Sequence, residues 1–185
     1  QRQMCIRDSG KGQQYLQKAE NQVHHPLRLP LQKDIACKVS SQADGVKFVG
    51  HAGQHTITVE KDDTLPNGQY YLYLYNNNFG SAKTLPKFSW KSYKGVGSYK
   101  KGKASYYYKY LVDEKKKTYR LVKKFAVPYS SVVSSVQHFD ENITFSSGMN
   151  HTYGEYDKNG KMIRTFTYQS KRYAYRVMKY KYDIF

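Results

Sequence analysis

Tyr110-Leu111-Val112-Asp113-Glu114-Lys115-Lys116-Lys117-Thr118-Tyr119-Arg120-Leu121-Val122 is a pair of alternating runs joined by a polar turn. The same plan returns in Gly154-Glu155-Tyr156-Asp157-Lys158-Asn159-Gly160-Lys161-Met162-Ile163-Arg164-Thr165. Alternation with a period of two sets one face of an extended chain against a core, and Asp, Asn and Gly supply the turn between the runs. The turn aspartates Asp113 and Asp157 stand 44 residues apart, within the period of a four-stranded propeller blade. Each hairpin follows another one, His55 to Asn78 in the first case and Val132 to Met149 in the second. An inner plus an outer hairpin, occurring twice, predicts two successive blades of a β-propeller. A β-sandwich is the alternative, because strand spacing alone does not separate the two architectures.

Working outward, the pattern is β throughout from Val46. Strands are predicted at His55–Glu60, Gln69–Tyr75, Tyr106–Val112, Thr118–Phe125, Val132–Phe139, Ile143–Ser146, Thr152–Tyr156, Met162–Tyr168 and Tyr173–Tyr182. Leu65-Pro66-Asn67-Gly68 and Asp140-Glu141-Asn142 supply further turns. No segment reads as a long helix, and the 20 tyrosines among 185 residues favour strands. The fold class is therefore all-β. Residues 81–104, rich in Lys, Gly, Ser and Tyr, read as an insertion, and 10–45 as an irregular segment leading into the strands, broken by Pro26 and Pro30. Met4-Cys5-Ile6-Arg7-Asp8-Ser9 reads as the translation of a transposon-end sequencing adapter. Residues 1–9 are accordingly expected to lie outside the fold, with native sequence missing upstream.

The chain carries 31 Lys+Arg against 14 Asp+Glu, a formal charge of +17. The excess concentrates between Lys83 and Lys124, where fourteen basic residues face only Asp113 and Glu114. Such a run attracts anionic polymers or substrates, while its ordinary reading is a solvated loop with outward-facing strand positions. No nucleic-acid-binding motif accompanies it, so nucleic acid is not an expected partner. Without Cys5, Cys37 has no intrachain partner and no metal-ligand spacing. Neither a metal nor a cofactor is expected. No run of apolar residues is long enough to span a membrane as a helix.

Several short motifs resemble the bacterial arylsulfotransferase family: Gly53-Gln54-His55-Thr56, Leu65-Pro66-Asn67-Gly68, and the strand ending in Asn76-Asn77-Asn78. The resemblance continues in Tyr108-Lys109-Tyr110-Leu111-Val112-Asp113-Glu114-Lys115, in Tyr129-Ser130-Ser131-Val132-Val133-Ser134-Ser135-Val136-Gln137, and in Tyr175-Arg176-Val177. It implies that residues 46–185 are C-terminal blades, about two to three, of a six-bladed β-propeller. It implies an enzyme of the bacterial exterior or cell surface. Such an enzyme moves a sulfuryl group from a phenolic sulfate ester to a phenol acceptor without a nucleotide donor. It also makes the Gly-Gln-His histidine, His55, the nucleophile that carries the sulfuryl group as sulfohistidine. The family's other histidines, an asparagine and an arginine lie in a His-Thr-Asn and a Ser-Arg motif that this sequence lacks. Ser105 and Tyr106 also stand where an arginine often precedes the strand containing Lys109. The chain by itself is therefore expected to be inactive or nearly so.

Sulfuryl transfer, like phosphoryl transfer, needs in-line positioning and charge stabilisation more than covalent assistance. An imidazole is a competent nucleophile near neutral pH, provided its other ring nitrogen has a partner. Gln54, Thr56, Asn76 and Asn77 are the candidate substrate-binding residues around His55, although strand alternation turns the two neighbours of His55 away from it. His51, His138 and His151 read as structural histidines, and His24 and His25 as part of a linker. The competing reading is a non-catalytic, basic, Tyr-rich β module that binds an anionic cell-surface polymer.

Overall fold

The computed structural model describes residues 41–42, 52–80, 90 and 95–182. His24, His25, His51, Cys5, Cys37, residues 1–9, nearly all of 10–45 and part of the 81–104 insertion lie outside the described residues. The described chain is all-β. Its strands are β1 (Ser41–Gln42), β2 (Gln54–Glu60), β3 (Gln69–Asn76), β4 (Ser105–Asp113) and β5 (Thr118–Val127). They continue with β6 (Ser134–Phe139), β7 (Asn142–Ser147), β8 (Thr152–Tyr156) and β9 (Met162–Thr167). One sheet has the order β1-β5-β4-β3-β2 and the other β6-β7-β8-β9. Apart from the short parallel β1, sequential strands are neighbours, so each sheet is a simple meander of two hairpins, as the repeat anticipates.

Contacts divide the chain into two compact units. One contains Ile57–Tyr73 and Lys109–Lys123. Here the sequence-level turns do what their residue types require. Gln69 N donates to Pro66 O at 2.9 Å, and Gly68, at φ +93°, takes the left-handed position that a side chain would disfavour. Asp113 Oδ1 accepts from Lys116 N at 2.8 Å, and its other oxygen accepts from Gln69 Nε2 at 2.8 Å. Lys109 Nζ lies 2.9 Å from the Glu60 carboxylate and 4.1 Å from the centre of the Tyr71 ring.

The other unit contains Ala52–Thr56, Leu74–Tyr108 and Lys124–Phe185. Its core is aromatic: Tyr107 stacks on Phe125 at 4.7 Å, Phe125 meets Tyr156 at 4.7 Å, and Tyr156 meets Phe145 at 5.1 Å. Leu74, Tyr75, Tyr107 and Phe145 are wholly buried. Tyr75 donates its hydroxyl to Pro128 O at 2.8 Å, satisfying the polar tip of a buried ring. The turn after β8 repeats the earlier one, since Asp157 Oδ1 accepts from Asn159 N and Lys161 N, each at 2.8 Å.

Five predicted strands extend by one or two residues, and three others shorten or fail. The stretch Tyr173–Tyr182 is not a strand. It is held by side chains of β6 instead: Val177 N donates to Ser135 Oγ at 3.3 Å and Lys179 N to Gln137 Oε1 at 2.8 Å, while Gln137 Nε2 donates to Lys179 O at 2.9 Å. The sixth strand begins at Ser134 rather than Val132, because Val133 sits at φ +51° and breaks the extended run. Tyr168 falls just beyond β9, which ends at Thr167.

Candidate functional site

The Gly-Gln-His-Thr motif opens β2. Gly53, at φ +65°, turns the chain into that strand beside Phe79, whose carbonyl oxygen would lie 3.2 Å from any added Cβ. Asn77 N donates to Gly53 O at 2.8 Å and Phe79 N to Ala52 O at 3.0 Å. Asn76 Oδ1 accepts from Ala52 N at 2.9 Å and from Asn78 N at 3.0 Å. The Asn76-Asn77-Asn78 run is therefore the clamp that fixes the entry to β2. Asn78, at φ +54°, adopts the left-handed geometry of a turn, and its Nδ2 donates to Gly95 O at 2.7 Å and Ala104 O at 3.1 Å. Asparagine tolerates that conformation better than most residues.

His55 is half-buried in this frame. Its Nδ1 lies 2.6 Å from Asn77 Oδ1, and its ring meets the Tyr175 ring edge-on at 6.3 Å. The guanidinium of Arg176 lies 5.3 Å from the centre of the Tyr175 ring. Asn77 is fully buried, and its Nδ2 donates to Ser130 O at 2.6 Å and Ser134 Oγ at 2.9 Å. Ser130 is itself pinned, with its N donating to Ser105 Oγ at 2.9 Å and its Oγ donating to Val132 O at 2.6 Å. Ser105 Oγ in turn donates to Asn77 O at 3.0 Å. Chain segments far apart in sequence thus converge on one asparagine.

Strand alternation does not govern Thr56. This β-branched residue sits at φ +51°, a conformation that costs roughly 1–3 kcal/mol outside glycine. The kink lets its Oγ1 donate to Ser134 O at 3.2 Å, so Thr56 reaches the same serine that Asn77 does. Gln54 is half-buried at the first position of β2. Asn76 is buried with its side-chain oxygen held by backbone donors. Sequence reasoning missed Ser130, Ser134 and Tyr175 as neighbours of the site. The Tyr-Ser-Ser run and the Tyr-Arg-Val triplet mark their places, yet nothing local links them to His55.

The remaining described histidines serve packing. His138 Nε2 lies 2.6 Å from the Tyr107 hydroxyl. His151 caps the 3-10 turn Gly148–Asn150 at φ +49°, with its ring against Tyr168 and Tyr173. Burial pushes the Tyr108 phenol up to about 12, against the hydrogen bond from Asn76, and pushes Tyr75 higher still, so both remain protonated near neutral pH. Of the basic run, Lys124 lies 4.4 Å from the Tyr106 ring centre, and burial lowers its pKa. Lys100, Lys101 and Lys103 line a recess of about 580 Å³ with Tyr99 and Tyr129. Among the described residues no group of His, Cys, Asp and Glu could hold a metal ion.

Comparison with family models returns one described as Arylsulfotransferase (ASST), matching residues 11–183. The match takes in the stretch before Val46, which carries none of the quoted motifs. Comparisons with curated proteins and with solved structures find no match.

Proposed function

The chain belongs to the arylsulfotransferase family, and from that premise we propose that its two meander sheets are successive propeller blades carrying the nucleophile of a nucleotide-independent sulfuryl transfer. The family implies, at a coarse level, an aryl sulfate donor and a phenol acceptor. In the proposed reaction, the free ring nitrogen Nε2 of His55 attacks the sulfur of a phenolic sulfate ester. The bond from sulfur to the phenolic oxygen breaks and the phenolate leaves. The oxygen of a second phenol then attacks the sulfur of the N-sulfo ring as the N–S bond breaks, and its proton passes through solvent to the phenolate released in the first step, restoring the neutral ring. One difficult displacement becomes two easier ones, each passing through a loose transition state.

The observation that carries the assignment is the setting of His55. It sits in the family's Gly-Gln-His-Thr motif on β2, the edge strand that begins the antiparallel meander of its sheet, and its Nδ1 is engaged by a buried asparagine. In a propeller the first strand of each blade faces the central channel, which is where a donor ester would enter. The family's His-Thr-Asn and Ser-Arg motifs are absent from this sequence, so these 185 residues alone are expected to turn over little or no ester.

The test is release of a coloured phenol from its sulfate ester, with a second phenol as acceptor, in a form of the protein that completes the channel. The unaltered His55 peptide should carry an SO3 adduct by mass spectrometry, and His55→Ala should abolish both that adduct and turnover. Turnover unchanged in His55→Ala sinks the assignment. A second reading draws on the recess lined by Lys100, Lys101 and Lys103: a binding module for an anionic cell-surface polymer. It requires salt-sensitive polymer binding that is lost when these lysines are replaced and retained in His55→Ala.

A further inference from the structure

We infer that Asn77 is the positioning residue for His55, fixing the ring as the Nδ1–H tautomer with the Nε2 lone pair open. A primary amide presents a carbonyl oxygen that only accepts and an NH2 that only donates. Ser130 O, 2.6 Å from the Asn77 side chain, is a backbone carbonyl and can only accept. The amide atom facing it must be the nitrogen. Its second proton goes to Ser134 Oγ at 2.9 Å. The oxygen is left facing His55 Nδ1 at 2.6 Å, and two acceptors cannot share that distance. Nδ1 therefore carries the hydrogen, and a neutral ring then has its lone pair on Nε2.

Burial strengthens the constraint. Asn77 is fully buried, so reversing its amide would set oxygen against the Ser130 carbonyl with no water to relieve it. Ser130 does not yield, because Ser105, Val132 and Met149 hold it through hydrogen bonds. Thr56 Oγ1 adds a bond to Ser134 O at 3.2 Å from the residue next to His55. When Nε2 takes up a sulfuryl group the ring becomes cationic, and the Asn77 oxygen already points at the proton that shares that charge. The catalytic consequence rests on reading His55 as the nucleophile. The tautomer does not.

The decisive measurement is 15N-labelled histidine NMR on the 185-residue chain at alkaline pH. The expected spectrum has a protonated Nδ1 and a pyridine-type Nε2. Asn77→Ala should release the ring to a mixture with the Nε2–H tautomer, while Ser134→Ala, which keeps the Ser130 acceptor, should leave the wild-type tautomer. An Nε2–H ring in the unaltered chain overturns the inference without any variant having to fold, and so does an unchanged tautomer in a folded Asn77→Ala. In a catalytically complete form, Asn77→Ala should lower kcat on the order of 10–100-fold with little change in KM, as for other partners that orient a functional histidine. If the tautomer is as expected but His55→Ala keeps full activity, the positioning stands and the nucleophile assignment fails.

Discussion

At the scale of single residues, two left-handed positions bracket the candidate nucleophile. Gly53 uses a left-handed conformation and a close approach to the Phe79 carbonyl, so Gly53→Ala should destabilise the chain by about 1–2 kcal/mol, read as a lower urea midpoint with an unchanged slope. Thr56 has the wrong side chain for its φ of +51°. That is why its place was not legible in the sequence: alternation predicts a residue facing away from His55, and no propensity rule puts a β-branched residue in that region. His55 itself was legible through its motif. Its dependence on Ser130 and Ser134 was not, because a hydrogen bond spanning such long stretches of chain leaves no periodic trace.

At the scale of elements, the strands that alternate and end in Asp, Asn or Gly were legible almost to the residue. Tyr173–Tyr182 was not, because its backbone is satisfied by the side chains of Ser135 and Gln137, which composition does not distinguish from a ladder. The paired turns behave alike physically as well as in sequence. Backbone N–H groups, chiefly that of Lys116 for Asp113 and that of Lys161 for Asp157, hold both carboxyls below their ordinary value. A carboxyl depressed in the folded state leaves the unfolded chain binding more protons, so stability rises with pH. The contribution is complete above the unfolded pKa of about 4 and disappears as pH falls through the folded one. Asp113→Asn and Asp157→Asn should therefore lower the urea midpoint at neutral pH and narrow that gap to wild type below about pH 3. Gaps that stay constant with pH would rule out the ionised carboxyl as the source.

At the scale of the whole molecule, the two sheets end differently. The last strand, β9, is exposed along its length, and Met162, Ile163 and Phe166 are each more than a third accessible. An edge strand with apolar side chains is a template for pairing with another copy. Ile163→Lys together with Phe166→Lys should reduce concentration-dependent light scattering while leaving the unfolding midpoint within about 0.5 kcal/mol of wild type. The double hairpin was legible at this scale through the spacing of Asp113 and Asp157.

The amide of Asn77 has one consequence in time. His55 meets Asn77 across 22 residues, but Asn77 meets Ser130 across 53 and Ser134 across 57. On a ribosome adding about 5–20 residues per second, the histidine and its asparagine emerge several seconds before the serines that decide which way the asparagine faces. A nascent chain holds the ring without its orientation, and the site matures only when β6 has been made and docked.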